Sequence, residues 1–353
     1  MVRLNNKDLN AFSEPYIIAE IGVNHEGNFK KAINLIDLAK EGGADAVKFQ
    51  TYKAETIASK DSPSYWDLNK ESTTSQFLLF KKYDSFNKND YQELSNYCKK
   101  IGIEFLSTPF DLESVDFLDP LMNFFKIASA DINNIPLLRK IASKRKPIIL
   151  STGASEKNEI NYAISTIEKE GLKKENIILL HCILNYPTKD EDANLFMIKD
   201  LVNSYPSNLI GYSDHTLPNA SMSVISTAYL MGAVVIEKHF TDDKSLPGND
   251  HYHSMDVSDL KNIRTNTEKI AKILGSIKEK KSIAEEQIAR ENARRSIVLL
   301  KDLPAGHTLK ESDLICKRPG SGISPSEWDD ILGKKLSKSL KSDHILKWSE
   351  IEK

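Results

Sequence analysis

The chain has 353 residues, with 48 Lys plus Arg against 50 Asp plus Glu, a formal charge of −2, and 40% hydrophobic, 28% charged and 8% aromatic residues. That length holds one large barrel or two to three ordinary domains, and the charge balance argues against a generic nucleic-acid or polybasic membrane binder. No apolar run approaches the ~20 residues that span a bilayer. The opening MVRLNNKDLNAF lacks the apolar segment of a secretory signal, and three widely spaced cysteines (Cys98, Cys182, Cys316) suggest neither a disulfide framework nor a zinc cluster. A cytoplasmic protein with core or surface cysteines is expected.

In chain order, eight short β-type runs alternate with amphipathic stretches: YIIAEIG (Tyr16 to Gly22), AVKFQTY (Ala46 to Tyr52), EFLSTPF (Glu104 to Phe110), FFKIASA (Phe124 to Ala130), PIILSTG (Pro147 to Gly153), IILLHCI (Ile177 to Ile183), LIGYSDHT (Leu209 to Thr216) and VVIEKHF (Val234 to Phe240). Helical patterns lie between them, as in NFKKAINLIDLAKEGG, where Ala32, Leu35, Ile36 and Ala39 share one face. Eight consecutive βα units in roughly 250 residues predict an α/β fold, a TIM (β/α)8 barrel over residues 1–280. The stretch from Lys53 to Lys88 is polar and irregular, with Pro63, Tyr65 and Trp66 inside it. A loop of that length is functional or idle, and its position after the second strand favours a substrate-covering role.

A charged helix is predicted from about Val257 to Ala293, its polar end (281–294) serving as a linker. Residues 295–353, with short β-type runs and Gly and Pro turns, read as a small β-rich C-terminal domain, marginal alone.

Polar residues recur near the C-terminal ends of the apolar strands, where barrel active sites are built: Glu20, Lys48 with Gln50, Ser107 with Thr108, Lys126 with Ser129, Ser151 with Thr152, His181, Asp214 with His215, and Glu237 with His239. Charges inside β-runs are costly unless paired or used. Lys48 and Lys126, with the hydroxyls of Thr108, Ser129 and Ser151, form a candidate anion cradle without a P-loop motif. The competing reading is two lysines extending out of the barrel end. His215 and His239 on neighbouring strands can meet at one divalent metal, Mn²⁺, Fe²⁺ or Co²⁺ in chemistry, or be two hydrogen-bonded histidines. His251 and His253 in PGNDHYH are rival or additional ligands. Glu20 is a candidate proton shuttle or the partner of a lysine in the same ring, and His181 is a ligand candidate or a satisfied interior residue.

The motifs IAEIGVNHEGN, GADAVKFQTYKAE, STPFD, FKIASAD, ILSTG, the HC…YPT segment, GYSDHT and IEKHF, in that order, resemble the sialic acid synthases. The tail, with LPAGHTL, ESDL and KRPGSGI, resembles their C-terminal antifreeze-like (SAF) domain. The resemblance implies condensation of phosphoenolpyruvate with an open-chain N-acyl hexosamine, releasing phosphate. It implies that Lys48, Thr108, Lys126, Ser129, Ser151 and Ser213 bind phosphoenolpyruvate. His215 and His239 would hold Mn²⁺, with Mg²⁺ or Co²⁺ as substitutes, and Glu20 would act near the reacting carbons. Gln50, Asp131, Tyr186 and Asp250 would contact the sugar. It also implies a homodimer in which the SAF domain of one protomer caps the partner's barrel, with Arg318 reaching the N-acyl group. N-acetylmannosamine, giving N-acetylneuraminate, is the first expectation, and a 2,4-diacetamido-2,4,6-trideoxy hexose, giving N,N'-diacetyllegionaminate, the alternative. The chain departs from the family at ASAD, where many bacterial N-acetylneuraminate synthases read GSGE, and at LPGNDHYH. No residue of the 53–88 loop is carried over.

Overall fold

The computed structural model describes residues 2–5, 7–11, 13–248, 250–277 and 279–352. Two compact units follow one another in the chain, residues 1–275 and residues 276–353.

The first unit is a parallel barrel. Its strands are β1 (Tyr16–Gly22), β2 (Ala46–Thr51), β3 (Glu104–Pro109), β4 (Phe125–Ile127), β5 (Ile148–Ser151), β6 (Ile177–Cys182), β7 (Leu209–Asp214) and β8 (Val235–His239). The hydrogen-bonded order runs β3-β2-β1-β8-β7-β6-β5-β4, and β3 and β4 lie side by side at the remaining seam. Strand interiors are buried on both faces, as a sheet enclosed by its own helices requires. The fold expected from the alternating pattern is therefore the one found. A short hairpin (Val2–Leu4 with Lys7–Leu9) precedes β1.

Helices α1 (Phe29–Gly42), α2 (Lys88–Ile101), α3 (Leu112–Leu118), α4 (Ile135–Ala142), α5 (Lys157–Lys169), α6 (Phe196–Ser204), α7 (Ser223–Met231) and α8 (Val257–Leu274) surround the barrel. In α1 the buried side is Ala32, Leu35, Ile36 and Ala39, spaced three and four apart as a core-facing stripe requires. The Asn28 side chain accepts from the Lys31 backbone N–H at the start of α1, and left-handed Gly43 ends it.

Three local expectations are corrected. The fourth strand is short, because the chain after Ile127 tightens into a 3₁₀ turn over Ser129–Asp131. The segment 53–88 is not wholly irregular: it holds helices at Ala54–Ile57 and Gln76–Tyr83, the second without a buried residue and hence without a core-facing stripe to announce it. The charged helix does not run to Ala293. It stops at Leu274, where Gly275 has φ +65°, and a separate helix covers Gln287–Ala293.

The second unit has its own core of Ile297, Leu299, Leu309, Ile331, Leu336 and Leu346. Its strands β9 (Ser296–Leu299) and β10 (Leu314–Lys317) pair antiparallel, and isolated bridges such as Val298 with Ile345 complete a unit richer in turns than in strand.

Candidate active site

Barrel register decides which polar side chains meet. Side chains alternate between the two faces of a strand, so Lys48 and Gln50 share the interior while Phe49 faces the helices. The register opposes Glu20 to Lys48, Gln50 to Thr108, Ser213 to Glu237, Cys182 to Ser213 and His239 to Glu20. All eight line a single pocket of about 530 Å³, together with Lys126, Ser129, Asp131, Ser151, Tyr186 and His215. The same alternation corrects the strand-end series. Ser107 bonds to Thr51 at 2.6 Å, His181 stacks on Tyr212 and pairs with the Ala193 carbonyl at 2.8 Å, and Asp214 forms an ion pair with Lys238 at 2.8 Å. Thr152 donates to the Leu180 carbonyl at 2.9 Å. These four satisfy the structure outside the pocket, and His181 is the satisfied interior residue of its two readings.

Two cations and two carboxylates occupy the pocket floor. Lys48 forms a short ion pair with Glu20, donates to Thr108 Oγ1 at 3.2 Å and lies 3.9 Å from Glu237. Lys126 lies 3.6 Å from the other oxygen of Glu237, which accepts from Ser213 at 3.1 Å. Gln50 donates to Glu20 at 3.0 Å. Gly22, at φ +53°, permits that bond, since a Cβ there would stand 3.0 Å from Glu20 Oε1 and 3.2 Å from Gln50 Nε2. The lysines are 4% and 3% exposed, so the reading in which they extend into solvent does not hold. Glu20 pairs with a ring lysine, and that pair sits inside the pocket.

Burial sets the proton affinities here. It pushes Glu20 up to about 7, with Lys48 opposing. Glu237 is equally buried, yet Lys126 and Lys48 together hold it below the ordinary carboxylate range. Burial lowers Lys126, while Glu20 and Glu237 outweigh burial at Lys48 and raise it. Two buried carboxylates thus differ in proton affinity, which is the pattern of an acid–base site. Asp131 accepts from Asn134 at 2.9 Å, and burial raises its pKa.

Above this floor stand the histidines. Burial brings His215 down to about 4 and His239 well below the usual imidazole value, so both rings are neutral. Their centroids are 5.6 Å apart, and the Tyr186 ring lies against His215 with centroids 4.0 Å apart and planes tilted by 36°. His215 Nδ1 is occupied by the Ile183 carbonyl at 2.7 Å. His239 Nδ1 is buried without a hydrogen bond and 3.5 Å from Asp250. Asp250 lies in an adjoining chamber with His239, Tyr52, Tyr65, Trp66, Phe80 and Tyr83. The 53–88 loop therefore forms one aromatic wall of the chamber. Trp66 is fixed there by donating to the Glu71 and Thr73 carbonyls at 3.0 and 3.1 Å. Arg318 belongs to the second unit and is exposed; Asn249 of the LPGNDHYH motif lies outside the described residues.

Sequence reasoning missed four things here: the bridging position of Glu237, the pocket placement of Cys182, the aromatic wall, and the closeness of Asp250 to His239; of the two rival ligands it named, His253 stands beside His239, with ring centroids 5.0 Å apart. Parity along β8 could have found Glu237, two residues before His239 on the same face, and parity along β6 with its register to β7 could have found Cys182. Burial pushes the Cys182 thiol up to about 11, so it remains a neutral wall residue.

Residues 35–279 match the NeuB family and residues 294–352 the SAF domain. The chain belongs to the NeuB family. It is an enzyme, a carbon–carbon bond-forming transferase of the phosphoenolpyruvate-dependent type. It is 42% identical to the N,N'-diacetyllegionaminic acid synthase of Legionella pneumophila, over 96% of this chain and 94% of that one. It is 40% identical to the Campylobacter jejuni protein of the same name, over 94% and 98%. The solved N-acetylneuraminic acid synthetase of Leptospira borgpetersenii superposes with TM-score 0.72 at 35% identity, covering 82% of this chain and 94% of that one. Among the described residues no helix is long and apolar enough to cross a membrane.

Proposed function

We propose that this family member condenses phosphoenolpyruvate with 2,4-diacetamido-2,4,6-trideoxymannose and water, giving N,N'-diacetyllegionaminate and phosphate. The observation that carries the phosphoenolpyruvate half is the buried pair Lys48 and Lys126 on a floor with the hydroxyls of Thr108, Ser129, Ser151 and Ser213. Such a floor suits a compact polyanion, and Ser151 Oγ is buried with its hydrogen-bonding capacity unspent. Two things support the diacetamido sugar over N-acetylmannosamine: the names of the relatives at 42% and 40% identity, and the aromatic wall, which matches a C6 methyl better than a hydroxymethyl. N-acetylmannosamine is the second reading, favoured by the likeness to the Leptospira enzyme.

In this reaction C3 of phosphoenolpyruvate bonds to the aldehyde carbon, and C2 gains cationic character. Water adds at C2, and the tetrahedral intermediate expels phosphate with cleavage of the C2–O bond. Lys48 and Lys126 hold the anionic groups and stabilise the charge that leaves. Glu20, poised near neutrality, takes the proton of the adding water. Gln50, Asp131, Tyr186 and Asp250 orient the sugar. Neutral, buried imidazoles around His239 fit a divalent cation, Mn²⁺ first and Mg²⁺ or Co²⁺ in its place, with His215 and His239 as its ligands in the family reading. When bound, such an ion polarises the aldehyde oxygen. The proposal includes a cytoplasmic homodimer in which Arg318 of one protomer serves the other's barrel. Phosphoenolpyruvate labelled with ¹⁸O at its bridging ester oxygen tests the bond cleavage. The label should leave in phosphate; its retention in the sugar acid would overturn the mechanism.

A further inference from the structure

The side-chain alternation of β2 carries past its last residue. Thr51 still pairs in the sheet, its carbonyl accepting from the Phe110 N–H at 3.0 Å. Tyr52 therefore follows Lys48 and Gln50 on the interior face, and it walls the chamber that holds Asp250, Tyr83 and Trp66. Phe80 and Phe110 stand edge-on to its ring, with centroids 5.1 and 6.1 Å away and planes at 64° and 74°.

These contacts account for the ring of Tyr52 but not for its oxygen. The residue is 6% exposed, and its hydroxyl is buried without a hydrogen-bond partner among the described residues. Burial pushes its pKa up, with Tyr91, Asp84, Asp250 and Tyr83 adding to the effect, so the group is a neutral phenol with a proton to donate. An unpaired buried hydroxyl costs stability, and a phenylalanine would fill the same ring site without that cost. Neighbouring donors of the chamber are committed to the fold. Trp66 Nε1 serves the Glu71 and Thr73 carbonyls. Asn24 donates to the Phe240 carbonyl at 2.9 Å and to Ser254 Oγ at 3.0 Å, clamping the return of the chain after β8.

We propose that Tyr52 is a specificity-determining residue, its hydroxyl donating a hydrogen bond to the carbonyl oxygen of the acetamido group at C4 of the sugar. The inference rests on the proposed reaction. Gln50, Tyr186 and His239 line both the anion pocket and the chamber. The sugar's C1 meets phosphoenolpyruvate above the lysines, so its far end, C4 to C6, enters the chamber. An amide carbonyl is a strong neutral acceptor there, whereas N-acetylmannosamine carries only a shorter hydroxyl at C4. A site that buries a donor for one group rejects the analogue lacking it, because the donor is then left unpaired.

Tyr52→Phe removes one oxygen atom and keeps the ring. Phosphate release with Mn²⁺ gives kcat/KM for each sugar and for phosphoenolpyruvate, and thermal unfolding gives the stability. For the diacetamido sugar kcat/KM should fall about tenfold, the loss of one buried hydrogen bond. For N-acetylmannosamine it should change less than about twofold, since no bond to C4 is lost. KM for phosphoenolpyruvate should stay as it is. The thermal midpoint should be unchanged or higher, because the variant no longer buries an unpaired hydroxyl. Unchanged kcat/KM for the diacetamido sugar would overturn the proposal. So would an equal fall for both sugars, which would place the hydroxyl on a group they share. A midpoint lowered by more than about 2 °C would also overturn it, by giving the hydroxyl a partner in the fold. A wild-type enzyme that turns over N-acetylmannosamine alone would overturn the diacetamido reading and this inference together; diacetamido turnover indifferent to Tyr52→Phe would overturn the inference alone.

Discussion

Replacing Lys126 by methionine keeps the length of the side chain and removes its charge. In the free protein Lys126 faces Glu237 at 3.6 Å, and its loss leaves that carboxylate with Lys48 at 3.9 Å and Ser213 at 3.1 Å. Breaking a buried pair typically costs 3–5 kcal/mol, and two surviving partners put this case near the lower bound, about 3 kcal/mol. For a unit of this size that is a fall of roughly 6–12 °C in midpoint. Binding loses one of two cations on a desolvated anion, about 2–5 kcal/mol, so the dissociation constant for phosphoenolpyruvate should rise roughly 100-fold. Titration calorimetry without sugar measures the affinity, and thermal unfolding the stability. The double variant Lys126→Met/Glu237→Gln separates the two effects. Neutralising both partners should recover most of the lost stability while affinity stays at least about tenfold weakened, because the phosphate has not regained its cation. A single variant that binds phosphoenolpyruvate within threefold of wild type would refute the assignment of Lys126 to the anion site.

Four further outcomes are expected. Tyr65→Ala, at the aromatic wall, should raise KM for the diacetamido sugar roughly fivefold, about 1 kcal/mol of aromatic contact, and leave KM for phosphoenolpyruvate unchanged; equal effects on both would contradict the wall's role. Gly211→Ala should destabilise the barrel by about 1–3 kcal/mol or more, because its Cβ would lie 2.4 Å from the Val235 carbonyl oxygen; an unchanged thermal midpoint would show that the strands can part there. Burial works to raise Asp313, but Lys301 and His307, each at 2.8 Å, bring it down to about 2. Its folded value is thus depressed, its stabilisation is full above the unfolded value near 4 and is lost as pH falls towards 2, and Asp313→Asn should cost about 2 kcal/mol at pH 7; the loss should shrink across that window in acid unfolding titrations of the two proteins. Mixing inactive Lys126→Ala and Arg318→Ala proteins under subunit exchange should restore some turnover, and none would count against an Arg318 supplied by the other protomer.

Much of the barrel is legible because continuous apolar runs of four to eight residues, separated by amphipathic stretches, have few other uses. The charged residues inside those runs, Glu20, Lys48, Lys126 and Glu237, marked the site for the same reason: nothing pays for burying them except one another or a ligand. What sequence did not resolve was parity. Asp214 and His215 are adjacent, yet one turns to Lys238 behind the sheet and the other into the pocket. The histidine cluster was harder still, since His253 reaches His239 only through a return held by Asn24, more than two hundred positions away. The helix Gln76–Tyr83 escaped because none of its residues is buried.

Phosphate release from phosphoenolpyruvate with Mn²⁺ tests the central claim most directly. The two sugars, 2,4-diacetamido-2,4,6-trideoxymannose and N-acetylmannosamine, are compared side by side, with product masses and a chelator control. Faster, chelator-sensitive release with the diacetamido sugar and the mass of N,N'-diacetyllegionaminate are predicted. Turnover of N-acetylmannosamine alone would overturn the sugar assignment, and no phosphate from either sugar would contradict the reaction itself.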